Sequence, residues 1–133
     1  MSIKTIRVMS EKNVKTIFCD IDGTILRQVD FNELNENNFE VLPGAREKFR
    51  EWIEAGHHIV ITTARPESLR GVTVRQLGNA GFQFHQLVMG IGREERILIN
   101  NNSSKDPWRD RALSVSVRRD DGFYHSDWEE VGL

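Results

Sequence analysis

The feature that most constrains this chain is a short apolar run that ends in two acids. Val14 to Cys19 reads VKTIFC and is followed at once by Asp20-Ile21-Asp22-Gly23-Thr24. A run this short, rich in β-branched and apolar residues and closed by a glycine, predicts a buried strand at the centre of a parallel sheet. In open α/β sheets, ligands bind just beyond the carboxyl ends of the strands. Two carboxylates one residue apart at such an end can face the same crevice once the chain leaves the strand.

The rest of the chain supplies the partners such a strand needs. Ile25 to Leu42 mixes apolar and polar residues around an Asn/Glu-rich middle and reads as a loop or loose hairpin. Pro43-Gly44 opens a helix with Ala45, Phe49, Trp52 and Ile53 on one face, and Gly56 is placed to end it. His58 to Thr62 (HIVIT) is a second strand. A second helix can begin at Pro66, with Leu69, Val72, Val74 and Leu77 as its apolar positions and Gly78 or Gly81 near its end. A third strand lies within Phe82 to Met89, a fourth is expected at Arg96 to Asn100 (RILIN), and a fifth at Ala112 to Val117. Strands alternating with helices predict an α/β fold with right-handed crossovers. The acidic, Trp-containing tail after Gly122 reads as a docked or frayed terminus.

Length and charge narrow the function classes. With 133 residues the chain fits one domain over 1–133, large enough to bury a core without staples. The formal net charge of -2 gives no long basic face for a nucleic-acid binder that works by charge. The lone Cys19 excludes an internal disulfide framework and suits a reducing compartment; inside an apolar run it reads as a small buried hydrophobe. Met1 to Lys15 is charged and resembles neither a signal peptide nor a membrane span, so a cytoplasmic location without membrane partners is expected. His57 and His58 precede a strand and read as surface or edge residues, and His85 and His125 lack partners at metal-binding spacing, so no zinc site is expected.

Three places carry candidate chemistry. At the first, one of Asp20 and Asp22 can attack phosphorus as a nucleophile, while the other protonates the leaving oxygen and then activates water. With a backbone carbonyl they offer the hard oxygen ligands magnesium prefers. Gly23 permits the sharp exit from the strand, and Thr24 can donate to an oxyanion. The second place is Thr62-Thr63-Ala64-Arg65-Pro66, directly after the apolar Ile59 to Ile61, where a hydroxyl can bond a phosphoryl oxygen as charge builds. Arg65 can hold a substrate phosphate or be a surface residue near the helix start. The third is Ile97-Leu98-Ile99-Asn100-Asn101-Asn102-Ser103-Ser104-Lys105-Asp106, whose polar half follows an apolar run.

The string Phe18-Cys19-Asp20-Ile21-Asp22-Gly23-Thr24-Ile25 resembles the first motif of the haloacid dehalogenase superfamily, hhhDxDGT. The resemblance implies that Asp20 is the nucleophile and Asp22 the general acid/base of a phosphatase or phosphotransferase. Thr62-Thr63-Ala64-Arg65 is similar to the second motif, with Thr63 the better match and Thr62 in reserve. The third motif is a cation, placed by the resemblance at Arg93, with Arg96 and Lys105 as alternatives. The fourth supplies acids after the fourth strand and completes a magnesium site. Here asparagines stand in that place, so the ligands implied are Asp20, Asp22, Asn101, Asn102 and Asp106.

The fold implied is a three-layer Rossmann-like sandwich with a mostly parallel five-stranded sheet and no large cap domain, since only Ile25 to Leu42 is available for a flap. The activity implied is that of a magnesium-dependent phosphohydrolase on a phosphorylated small molecule, with a sugar phosphate favoured by analogy. An open crevice would be closed by the flap or by a second copy of the chain. Two other readings stay open: a binding module that has kept the crevice without catalysis, supported by the asparagine run, and a nucleic-acid end phosphatase, which requires a basic groove beside Asp20.

Overall fold

The computed structural model describes residues 14–103 and 105–133, so most of the charged stretch Met1 to Lys15, and Ser104, lie outside the described residues. Strand β1 (Thr16–Asp20), helix α1 (Ala45–Glu54), strand β2 (His58–Thr62), helix α2 (Arg70–Ala80) and strand β3 (Gln86–Val88) follow one another in chain order. The three strands lie side by side in the order β1-β2-β3, all parallel. Asp20 is aligned with Thr62, and Thr62 with Val88, so three strand ends open on one rim. None of the described helices is long and apolar enough to cross a membrane.

Helix α1 forms where the glycines and the apolar spacing predict. Its close is a Schellman motif: Gly56 N–H donates to the Ile53 carbonyl and His57 N–H to that of Trp52, at 3.0 Å each, with Gly56 at φ 84°. Gly81 and Phe82 end α2 with the same pair of bonds, to Gly78 and Leu77. Phe49 and Trp52 of α1 and Leu77 and Ala80 of α2 share one core with Ile17, Cys19, Ile59 and Ile61, so both helices cover the same sheet face. The opposite face of β1 presents Phe18, 58% exposed.

The expected three layers and five strands are therefore corrected to two layers and three strands among the described residues. Arg96 to Asn100 makes no ladder, and Ile97 and Ile99 stand 86% and 90% exposed. Ala112 to Val117 is likewise unpaired. A parallel strand beside its neighbour needs a crossover of roughly a dozen residues, usually helical. Only residues 89–95 separate β3 from Arg96, and they form no helix. An apolar triplet has strand propensity but no route to a partner.

The face of α2 also differs from expectation. Val74 is 44% exposed, whereas Thr73, Gln76, Leu77 and Ala80 are buried, a regular helical stripe that includes two polar residues. Ile25 to Leu42 is a loose hairpin: Arg27 N–H donates to the Glu40 carbonyl and Leu42 N–H to that of Ile25. Its tip lies on α2, where Asn79 Nδ2 reaches the Glu36 carbonyl at 3.1 Å.

The tail is docked. Phe123 is buried in the core and Phe123 N–H donates to the Pro43 carbonyl at 2.8 Å. Gly122, at φ 87°, lies so close that a Cβ there would collide with the Pro43 carbonyl oxygen. Gly122→Ala is expected to destabilise by about 1–3 kcal/mol more than Gly56→Ala in urea titrations, the range for overpacking. Gly56 has nearly the same φ but open space around it, so the difference isolates the collision. Equal losses would mean that the tail does not press on Pro43.

Candidate functional site

The site begins at the rim where β1 ends. Asp20 is partly buried, and Thr24 Oγ1 donates to its Oδ2 at 3.1 Å. Burial pushes the Asp20 carboxyl above its ordinary value, opposed by the hydrogen bonds from Thr24 and the Ile21 N–H, raised further by Asp22 and lowered by Arg96. The turn after β1 is tight: Gly23 N–H donates to the Leu26 carbonyl at 2.8 Å, and Ile25 and Leu26 N–H both donate to that of Ile21. Asp120 clamps the turn from outside. Its N–H donates to the Gly23 carbonyl, and its Oδ1 accepts from Gln28 N–H, at 2.9 Å each.

Asp22 is held by a fully buried arginine. Arg65 Nε donates to Asp22 Oδ2 at 3.0 Å and Nη2 to Oδ1 at 2.8 Å, a bidentate pair. The remaining nitrogen, Nη1, donates to Thr73 Oγ1 at 3.1 Å and Gln76 Oε1 at 2.8 Å. Arg65 is 1% exposed and each of its nitrogens is engaged. Neither expected role matches this: Arg65 is buried and not a surface residue, and the fork expected to hold a substrate phosphate already grips a carboxylate. The polar stripe on α2 is explained by the same contacts, since a buried guanidinium needs acceptors.

The two threonines part company. Thr63 is fully buried, and its Oγ1 accepts from Arg65 N–H at 3.1 Å, so it shapes the turn instead of opening on the crevice. Thr62 is partly exposed and, as the register partner of Asp20, lies on the same sheet face. Of the two, Thr62 and not the expected Thr63 is the one that shares a face with Asp20.

The candidate cations separate similarly. Arg93 is exposed and lies over the Phe31 ring of the hairpin, 5.0 Å from its centroid, beside an open cleft also lined by Gln28, Val29 and Asp30. Arg96 is the basic group whose charge reaches Asp20. Lys105 is exposed, its N–H donating to Ser103 Oγ.

The residues expected to complete a metal site turn to their own loop. Asn101 Oδ1 accepts from Arg111, Asn102 Nδ2 donates to the Pro107 carbonyl, and Asp106 Oδ1 accepts from Trp108 N–H. Among the described residues no group of three His, Cys, Asp or Glu side chains assembles, so Asp106 does not join Asp20 and Asp22. The strand expected to carry these residues to the rim is the one that does not form. The donor set at Asp20 nevertheless fits magnesium, which ordinarily keeps several waters and takes one or two carboxylates. Asp20 offers such a carboxylate, whereas that of Asp22 is committed to Arg65.

Cys19 is buried, as expected, and burial, then the Asp20 charge, push its thiol up. His57 Nδ1 accepts from Lys15 N–H and His85 Nδ1 from Ile59 N–H, which are structural roles.

Residues 17–86 match the family model described as haloacid dehalogenase-like hydrolase. The chain belongs to this family. The matched span covers β1 through the start of β3 and includes Asp20, Asp22, Thr62 and Arg65. Among solved structures, a D,D-heptose 1,7-bisphosphate phosphatase from B. bronchiseptica, crystallised with magnesium and phosphate, is similar at 21% identity and a TM-score of 0.44. That similarity covers 62% of this chain and 53% of the other, about half its length. No curated protein matches the chain.

Proposed function

We propose that this protein is a magnesium-dependent phosphohydrolase that works through an aspartyl phosphate on Asp20. The observation that carries the reading is Asp20 itself: a partly buried carboxylate at the end of β1, hydrogen-bonded by Thr24 and within reach of the Arg96 charge. Family membership supports hydrolysis.

In this reading an Asp20 oxygen attacks the phosphoryl group in line, forming the acyl-phosphate bond as the ester P–O bond breaks. The Asp22 carboxyl gives its proton to the departing oxygen, then takes one from the water that cleaves the intermediate. Thr62, Thr24 and the Gly23 turn line the phosphoryl oxygens, and Arg96 or Arg93 opposes their charge. Magnesium, when bound by Asp20, supplies further charge neutralisation there. No cap is assigned, because Ile25 to Leu42 forms only a hairpin; the open rim suits a phosphorylated small molecule such as a sugar phosphate.

A second reading, a binding module without turnover, draws on the Asn101, Asn102 and Asp106 contacts within their own loop. One pair of measurements separates the two. The phosphohydrolase should release p-nitrophenol from p-nitrophenyl phosphate only with magnesium, and calorimetry should detect magnesium binding to the phosphate-free protein. Absence of both at high magnesium would replace the enzyme with the binding module.

A further inference from the structure

The Asp22 carboxylate is unusually constrained for a group that must exchange protons with a reacting oxygen. Arg65 donates to both of its oxygens, and Thr73 and Gln76 hold the third Arg65 nitrogen from the buried side of α2. Gln76 is itself anchored: its Nε2 donates to the Asn35 carbonyl at 3.0 Å, at the tip of the hairpin that follows the Asp22 turn. A continuous chain of hydrogen bonds thus runs from the Asp22 oxygens through Arg65 and Gln76 to Asn35. All of its side chains are largely buried, with Asp22 at 9% exposure and Arg65 at 1%. A charge pair this buried has a large desolvation cost, which tertiary packing alone does not require.

We propose that Arg65 is a positioning residue for Asp22, braced by Thr73 and Gln76, and that its planar fork fixes the direction in which Asp22 hands its proton to the leaving oxygen. The inference rests on the phosphohydrolase reading and goes beyond it by giving Arg65 a role that no phosphate contact supplies. A carboxyl has about four lone-pair sites, and the fork occupies one on each oxygen, which leaves a site on each for a proton. In the step concerned, the Asp20 oxygen forms a bond to phosphorus and the ester P–O bond breaks. Its electron pair goes to the leaving oxygen, which takes a proton that Asp22 has picked up from solvent and carries on an oxygen lone pair outside the fork. Orientation matters in proportion to how much the leaving oxygen needs that proton. A simple alkoxide needs it fully, and a nitrophenolate hardly at all.

The test uses the full chain and the variant Arg65→Lys, which keeps the positive charge but loses the two-pronged geometry. The readout is kcat/KM with magnesium on p-nitrophenyl phosphate and on glycerol 2-phosphate, because kcat/KM reports only events up to the phosphoryl transfer. The expected result is a drop of a few-fold on the aryl ester and about 100-fold on the alkyl ester, the lower end of what general acid catalysis contributes. Equal losses on both esters would overturn the proposal and leave Arg65 a structural counter-charge, as would full activity on both. If Arg65→Lys does not fold by circular dichroism, Gln76→Leu, which spares the Arg65–Asp22 pair but removes one brace, is read by the same ratio. A wild type that hydrolyses neither ester would sink the phosphohydrolase reading and this proposal together. A wild type active on both, with a variant that loses both equally, would sink this proposal alone.

Discussion

Asp20→Asn is expected to abolish turnover and, in the same protein, to raise the temperature of unfolding. The first effect follows from the proposed reading of Asp20 as a covalent nucleophile, for whose removal losses on the order of 10^4 to 10^6 in kcat are usual. The second follows from burial. Desolvation raises the Asp20 carboxyl above its ordinary value more than the Thr24 and Ile21 hydrogen bonds and Arg96 lower it. In the unfolded chain the group returns to that ordinary value. Between the two values the folded protein binds more protons than the unfolded one, so stability falls as pH rises through the window. Asparagine carries no charge to desolvate and lacks that slope. Metal-free wild type and variant should therefore melt alike below the ordinary carboxylate value. Through the window the variant should gain steadily, and above it the gap should stay constant. Magnesium should narrow the gap by stabilising the wild type alone. A variant that melts below the wild type at neutral pH would show that the Thr24 and Ile21 hydrogen bonds outweigh the burial.

The edge position of Asp20 was legible in the string around it, because an apolar run that ends in an acid must leave the acid at the edge of a core. The same logic located β2 and α1, whose boundaries are set by apolar spacing and by Pro43, Gly44 and Gly56. Features that depend on distant partners were not legible. Ile97 to Ile99 has the composition of a strand, but pairing depends on a crossover that residues 89–95 are too short to make. Thr73 and Gln76 are buried because Arg65 lies beneath them, and a hydrophobicity pattern alone places Val74 there instead. Their spacing with Leu77 and Ala80 was the available signal, a helical stripe that becomes visible once polar residues are allowed into it. Thr62 and Thr63 differ by a single step along the chain, which reverses the direction of a side chain, so only the register with Asp20 decides between them. Arg96 and Arg93 are likewise separated by loop geometry that no spacing rule specifies.

Trp52→Ala is expected to cost about 3–5 kcal/mol, the range for deleting a large buried aromatic side chain, and a substantial part of the 5–15 kcal/mol typical of a whole domain. Trp52 is 3% exposed and joins α1 to the tail. Its ring lies 5.1 Å from Phe49, 6.0 Å from Phe123 and 5.8 Å from Trp128, centroid to centroid. The tail has its own tie, Trp128 Nε1 donating to the Phe123 carbonyl at 2.8 Å, but its apolar side rests on Trp52. Removing the indole should therefore release the tail as well as open a cavity, and limited proteolysis after Gly122 should speed up along with the loss in urea stability. Trp52→Phe makes the complementary test. The Trp52 Nε1–H is buried without a hydrogen-bond partner among the described residues, so phenylalanine deletes a donor unmet there while keeping most of the ring contacts. Its cost should stay near 1 kcal/mol, with the tail as resistant to protease as in the wild type. A phenylalanine variant as unstable as the alanine one would mean that the indole N–H is satisfied in solution by a buried water, and that the aromatic cluster is held by a polar contact as well as by packing.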